Sequence, residues 1–216
     1  MFNLPLQTFY NKRVAKDKLA TQLHLSASIR REFFQQVNAV YWAYKLAEET
    51  LHLPKGKEVT EIEVFHLVLN QKALNPNILQ QFDKSLPYHT LFVLEYDGQA
   101  QAWIAFKVKD GSHKAYFSVK QYYHTAWIQK DNLAFTLAGI TLDNVYENLV
   151  QAIAGEQLPL ENGKKLADRV EKAIISQQLQ EKINKLNQKI AQTKQFNRQV
   201  ELSTKVRELE QILKGL

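Results

Sequence analysis

The chain has no cysteine among its 216 residues. Disulfide frameworks, thiol nucleophiles and cysteine-ligated zinc or iron–sulfur centres are excluded together, and the absence suits a reducing compartment. Glycine is scarce, at seven residues, and none of them builds a phosphate-cradling loop. A Gly-x-Ser-x-Gly elbow and a His-Glu-x-x-His helix are missing too. Nucleotide hydrolysis and serine hydrolysis by the usual devices go with them. No run approaches the ~20 apolar residues that span a bilayer. The opening MFNLPLQTFYNKR also lacks the long apolar stretch of a signal peptide. The expectation is a cytoplasmic protein with no membrane association.

What is present is an ordinary globular composition, 45% hydrophobic and 23% charged, long enough for one domain with an appendage. The formal charge of +6 is unevenly placed. Residues 1–47 carry seven basic side chains against Asp17 and Glu32, and residues 48–162 carry nine against fourteen acidic ones. From Gly163 onward there are twelve basic and six acidic residues. Basic ends flank an acidic middle, so a polyanion would meet the ends first. Lys12, Arg13, Arg30 and Arg31 at one end, and Lys182, Lys185, Lys189 and Arg198 at the other, are the candidate nucleic-acid contacts. The simpler account of the same charges is a solvated helix surface.

The pattern predicts helices over 14–23 and 26–47. In the second, Ile29, Phe33, Val37, Val40, Tyr41 and Tyr44 recur at three- and four-residue spacing, with Ser26 or Ser28 as the cap. Pro54 and Gly56 break the pattern. EIEVFHLVL at 61–69 is β-branched and alternating, a strand, and 75–85 is a short helix stopped by Pro87. Asp97-Gly98 between two apolar runs predicts a two-residue hairpin. Pairing Tyr96 with Gln99 places Leu91, Val93, Ala102, Ile104 and Phe106 on one face, and Phe92, Leu94, Trp103 and Ala105 on the other. Asp110-Gly111 predicts a second such turn, which adds Phe117 and Val119 to the first face. Both faces are apolar enough to require cover, so either helices pack on each side or one face is a docking surface. Residues 141–155 read as a helix capped by Thr141 and ended at Gly155.

After a linker at 156–163 the chain is helical and nearly free of breakers. Leu179, Ile183, Leu186 and Ile190 step by four, three and four, and Leu202, Val206, Leu209, Leu213 and Leu216 keep the same alternation. Thr193 and Asn197 interrupt the seam, which predicts a coiled-coil-like tail with a stutter or a reversal near 193–203. One isolated helix cannot bury the first stripe, so Leu179, Ile183, Leu186 and Ile190 are the candidate partner-binding residues. Their occupant is the 202–216 segment, a second copy of the chain, or another protein.

Candidate chemistry is sparse. Glu61 and Glu63 lie two apart on a strand, so their carboxylates share a face where they could hold a hard metal or exchange protons. They also suit the solvated start of a strand. The nuclease pattern of an acid two residues before a lysine is not met, because Ala105 precedes Lys107 at that spacing. His89 and His124 stand in a repeated Tyr-His-Thr, at 88–90 and 123–125. Two such rings could share a proton or a ligand, or each could lock a turn. His66 alternates with Ile62, Val64 and Val68, which suits a core position. No metal site and no cofactor is expected.

Several segments resemble one bacterial family. They are NKR at 11–13, TEIEVF at 60–65, PYHTLFVLEY at 87–96, WIAFK at 103–107, YYHTAW at 122–127, VYENLV at 145–150 and KQFNRQVEL at 194–202. In order, and over essentially the whole chain, they are similar to domain of unknown function 4391. The resemblance marks Glu61, Glu63, His89, Glu95, Trp103, His124 and Trp127 as motif positions without assigning them roles. It implies a bacterial setting beside DNA methyltransferases and helicase or restriction subunits, hence an accessory protein of a restriction-modification or phage-defence system.

The resulting expectation is an α+β protein. N-terminal helices lead into a mixed or antiparallel sheet with a meander and an inserted helix. The body spans 1–155, and a long basic helical tail occupies 164–216. Its expected role is non-enzymatic: a nucleic-acid-associated accessory subunit that binds a helicase or methyltransferase partner, with DNA and a second copy as further candidates. The rival is a metal-dependent hydrolase or nuclease using Glu61, Glu63, His89 and His124.

Overall fold

The computed structural model describes residues 2–111, 116–161 and 163–216. The chain is α+β and divides into two compact units, Met1–Glu156 and Gln157–Leu216. In the first, β1 (Phe9–Val14) precedes α1 (Lys16–Gln22) and α2 (Ala27–Gln36). Then come β2 (Val37–Ala47), a single turn α3 (Glu48–Leu51) and β3 (Glu61–Leu69). Helix α4 (Pro76–Ser85) connects to β4 (His89–Tyr96), β5 (Gln99–Lys109), β6 (Phe117–His124) and the short β7 (Ile128–Gln129), and α5 (Leu142–Ala154) follows. The sheet runs β1-β2-β3-β4-β5-β6, with β7 paired to β5. Every neighbouring pair is antiparallel except β3–β4, which is parallel and bridged by α4.

The local signals behave as their chemistry requires. Ser26 caps α2 by accepting from Ile29 N, and Thr141 caps α5 by accepting from Asn144 N. Asp97 and Gly98 both take positive φ, which closes the β4–β5 hairpin with Tyr96 opposite Gln99. Leu91 then faces Ile104, and Phe92 faces Trp103, on opposite sides of the sheet. At Gly56 the Asp143 carboxylate fills the place of a side chain, accepting from Lys57 N at 2.7 Å and Val59 N at 2.8 Å. That contact anchors the loop before β3 to α5.

Two expectations fail. The helix expected over 26–47 ends at Gln36, and residues 37–47 are strand β2, paired on both sides. Val37, Val40, Tyr41, Trp42 and Tyr44 favour a pleated, buried surface. The register against β3 shifts twice, between Val37 and Ala39 and between Trp42 and Tyr44. Each shift breaks the two-residue alternation and leaves apolar spacings of three and four that imitate a helix. The second failure is the turn at Asp110-Gly111. Lys109 pairs with Phe117, so the link spans 110–116, of which 112–115 lie outside the described residues. Ile104 therefore faces Tyr123 rather than Phe117.

Helices cover both faces of the sheet. On one, Leu19 and Leu23, Phe33 of α2, and Ile78, Leu79 and Phe82 of α4 pack on Val40, Phe65, Leu67, Phe92 and Leu94. On the other, α5 lies against β3, β5 and β6, with Val145, Leu149, Val150 and Ile153 buried. Burying each such side chain contributes about 1.5–3 kcal/mol. In the second unit, α6 (Leu166–Gln192) and α7 (Phe196–Gly215) form a helical hairpin in which α7 folds back along α6. The interruption at Thr193 is thus a reversal. Among the described residues no helix is long and apolar enough to cross a membrane.

Phe82 is fully buried and meets Phe65 and Phe92 edge-on at 5.2 and 5.4 Å. Phe82→Ala is expected to cost about 3–5 kcal/mol in urea unfolding. A loss below about 1 kcal/mol would mean that α4 does not seal this face.

Candidate functional site

The strand register lines up one lateral row of polar side chains inside an apolar sheet. Lys45 pairs with Glu63, Glu63 with Thr90, and Ala105 with Tyr122. The pairing of Leu91 with Ile104 puts Thr90 beside Ala105. This row lies on the face that α4 covers. At its outer end Lys45 Nζ bridges Glu49 at 2.8 Å and Glu61 at 3.3 Å. Glu63 is 3% exposed, and among the described residues its Oε2 has no hydrogen-bond partner. Burial first, and the adjacent Glu61 carboxyl second, push the Glu63 pKa up to about 9. At neutral pH the folded chain therefore keeps a proton on this acid. A buried neutral carboxylic acid can donate a hydrogen bond or deliver a proton.

Further along the row, Asp83 of α4 accepts from three side chains. Thr90 Oγ1 and Lys107 Nζ reach its Oδ1, the lysine at 2.5 Å, while the Tyr122 hydroxyl donates to Oδ2. Lys107 Nζ also donates to the Tyr88 carbonyl at 2.8 Å and lies 4.3 Å from the Phe117 ring centre. Neither the Asp83 nor the Lys107 side chain is exposed to solvent. Burial holds the Lys107 pKa below its ordinary value against the opposing pull of Asp83, and burial together with Asp83 raises that of Tyr122. The cluster is sealed, so its chemistry is structural: a buried ion pair whose carboxylate accepts three hydrogen bonds.

The histidines go to different places. His89 belongs to the face of Leu91 and Ile104, opposite to Glu63, and is 3% exposed between the Phe117 and Tyr146 rings. Burial, with Lys107 and Lys109 adding to it, lowers its pKa to about 3, so it is neutral. His124 pairs with Trp103, stacks on that indole at 4.4 Å, and has Nδ1 3.0 Å from the Thr125 carbonyl. It shares the Glu63 face but lies three strands away, about 14 Å at the usual strand spacing. Glu61 and Glu63 are brought together; His89 and His124 are joined neither to them nor to each other. The four-residue hydrolase site is not assembled, and among the described residues no group of three His, Asp or Glu is placed to hold a metal. His66 is a core residue, 2.6 Å from Glu95, which Lys130 meets at 2.7 Å.

The candidate contact residues are also placed. Lys12 and Arg13 are exposed on the edge strand β1, and Arg31 is exposed on α2. Arg30 is held by Asp17 at 2.7 Å and lies over Phe34. Arg13, Lys16 and Phe34 line a cleft of about 440 Å³, in which Lys16 already donates to the Val37 carbonyl. In the hairpin, Ile183 is buried against α7 and Leu179, Leu186 and Ile190 are half-buried, so the seam expected to receive a partner is occupied by the chain itself. Lys182, Lys185 and Lys189 remain exposed; Arg198 is exposed and paired with Glu201 at 2.5 Å.

A family model for a domain of unknown function, DUF4391, matches residues 2–213. The chain belongs to that family. Neither a curated protein nor a solved structure matches it.

For this DUF4391 chain the sequence found the acid pair and missed Asp83, Thr90 and Tyr122. A signal existed. Asp83 stands four residues after Leu79, on the apolar side of α4, and Lys107 interrupts an apolar strand. Opposite charges on two buried faces imply each other.

Two predictions follow from these contacts. Removing one partner of the sealed pair, as in Lys107→Met, is expected to cost about 3–5 kcal/mol. The combined Asp83→Leu and Lys107→Met change should cost clearly less than the sum of the single changes, measured as a double-mutant cycle. Additive losses would show the two groups to be uncoupled. Glu63 holds its proton to about pH 9 in the folded chain, whereas an unfolded glutamate releases it near about 4.3. Its contribution to stability is complete below the lower value and lost as pH rises towards the upper one. Glu63→Gln should flatten that decline, so that the variant melts several degrees above the parent at pH 8 and not at pH 4.5. Parallel melting curves at both pH values would mean that Glu63 is ionised in the folded state.

Proposed function

We propose that this protein is a non-enzymatic accessory subunit of a bacterial restriction-modification or phage-defence system, with the helical hairpin as its connector to a helicase or methyltransferase subunit. The family resemblance supports the setting. The hairpin carries the rest: its seam is satisfied internally, yet its outer surface keeps a band of lysines that the fold does not use. The dispersal of Glu61, Glu63, His89 and His124 weakens the hydrolase alternative, which retains only the acid pair. An internally satisfied hairpin does not need a second copy to cover it, so a different protein is the favoured occupant of its outer surface. Charge on such a surface acts mostly on the rate and orientation of encounter.

Co-expression with methyltransferase and helicase subunits of a bacterial restriction-modification system tests this reading. The full chain is expected to co-purify with one of them. Deletion of residues 163–216 should abolish capture, and Lys182→Glu with Lys185→Glu should slow association about ten-fold or more at low salt. A truncated chain that still captures the same subunit would overturn the assignment of the hairpin as connector.

A further inference from the structure

We infer that the tip of the helical hairpin binds single-stranded nucleic acid. This inference rests on the reading of the hairpin as an interaction element and gives it a second ligand. Residues 182–200 contain five basic side chains and no acidic one, the longest such stretch at this end of the chain. Lys182, Lys185 and Lys189 are spaced by three and four, so at 100° per residue they share one flank of α6, about a quarter turn from the Ile183 seam. Lys194 lies in the reversal itself, and Arg198 in the first turn of α7. Among the described residues none of Lys182, Lys185, Lys189 and Lys194 forms an ion pair, and each is exposed.

A large aromatic ring sits in the middle of this charge. Phe196, the first residue of α7, is 75% exposed. Its position is fixed by a stapled turn. Thr193 Oγ1 donates to the Lys189 carbonyl at 2.7 Å, Gln199 Nε2 donates to the Thr193 carbonyl at 2.6 Å, and Gln199 N donates to the Gln195 carbonyl at 3.0 Å. The turn therefore holds an apolar ring in water between Lys194 and Arg198 instead of folding it into the seam. Cations tracking a phosphate backbone beside a ring on which a base can stack are how unpaired strands are gripped. A duplex keeps its bases stacked on each other and offers the ring nothing, and an acidic protein surface pairs with the lysines without supplying a base to stack on the ring. The ring decides for the single strand. Arg198 is drawn by Glu201 and Glu201 also holds Lys205 at 2.8 Å, so a phosphate takes Arg198 in competition with that carboxylate.

The test uses the full chain and fluorescence anisotropy with a labelled mixed-sequence DNA oligonucleotide, single-stranded and annealed, over a series of salt concentrations. Single strands are expected to bind more tightly than the duplex, with affinity falling as salt rises. Lys189→Gln together with Lys194→Gln should reduce the single-strand salt slope by about 1.4. Phe196→Ala should weaken single-strand binding about ten-fold and leave duplex binding unchanged, while Phe196→Trp restores it. Phe196 is exposed, so far-UV circular dichroism of both variants should match the parent. A ribo-oligonucleotide of the same sequence assigns the sugar. Equal affinity for strand and duplex, unchanged affinity of Phe196→Ala, or no binding of any oligonucleotide overturns the inference. Loss of subunit capture on deleting 163–216, with no oligonucleotide bound by the full chain, would keep the connector and reject this ligand.

Discussion

The Asp83 carboxylate is the constraint around which the first unit is arranged. It enters the core from α4 and is met there by groups from β4, β5 and β6: Thr90, Lys107 and Tyr122. A buried carboxylate and a buried ammonium each cost several kcal/mol to desolvate, and only close geometry offsets that. The helix therefore has one acceptable position on the sheet, whereas the surrounding Leu79, Phe82 and Phe92 contacts would tolerate small slides. Apolar burial supplies most of the stability, and the ion pair selects the register in which it is collected. The same lateral row runs out to Glu63 and Lys45, so the sealed pair and the half-open acid pair are two ends of one polar seam.

Legibility in the sequence tracked how local each determinant was. The β4–β5 hairpin, the Thr141 cap of α5 and the strand at 61–69 are each specified by residues within a few positions, and all are present in the fold. Strand β2 was misread because its partners lie on two other strands and its two register shifts scatter Val37, Val40 and Tyr44 off the alternation. The link between β5 and β6 was misread for the opposite reason. Asp110-Gly111 carries a good local turn signal, but pairing of Lys109 with Phe117 outweighs it.

The candidate site was legible in part. Two glutamates at a two-residue spacing on a strand must share a face, and they do. That one of them would be buried deeply enough to keep its proton depends on the cover above it and on the neighbouring Glu61 carboxyl, and no spacing reports the cover. The two Tyr-His-Thr segments looked like a pair because they repeat. Strand parity separates them: His89 follows the face of Leu91, and His124 that of Trp103. In the tail, the four-three-four steps correctly gave the seam, and the choice between self-closure and an external partner lay in whether Thr193 allowed a reversal.

The parallel junction between β3 and β4 has a consequence for how the chain acquires its shape. The sheet consists of two sequential antiparallel blocks, β1-β2-β3 and β4-β5-β6, each joined to its own neighbours along the chain. Only the β3–β4 ladder needs the closure of a crossover through α4, and that closure entropy must be met before its hydrogen bonds repay it. The first block spans Phe9–Leu69 and the second His89–His124, so α4 is the link that brings them edge to edge. Asp83 rides on that helix and finds all its partners on the second block, so the ion pair ties α4 to β4, β5 and β6. Until the β3–β4 ladder forms, β3 and β4 would both present unpaired, strongly apolar edges. It is then that the protein is most exposed to joining with another copy of itself.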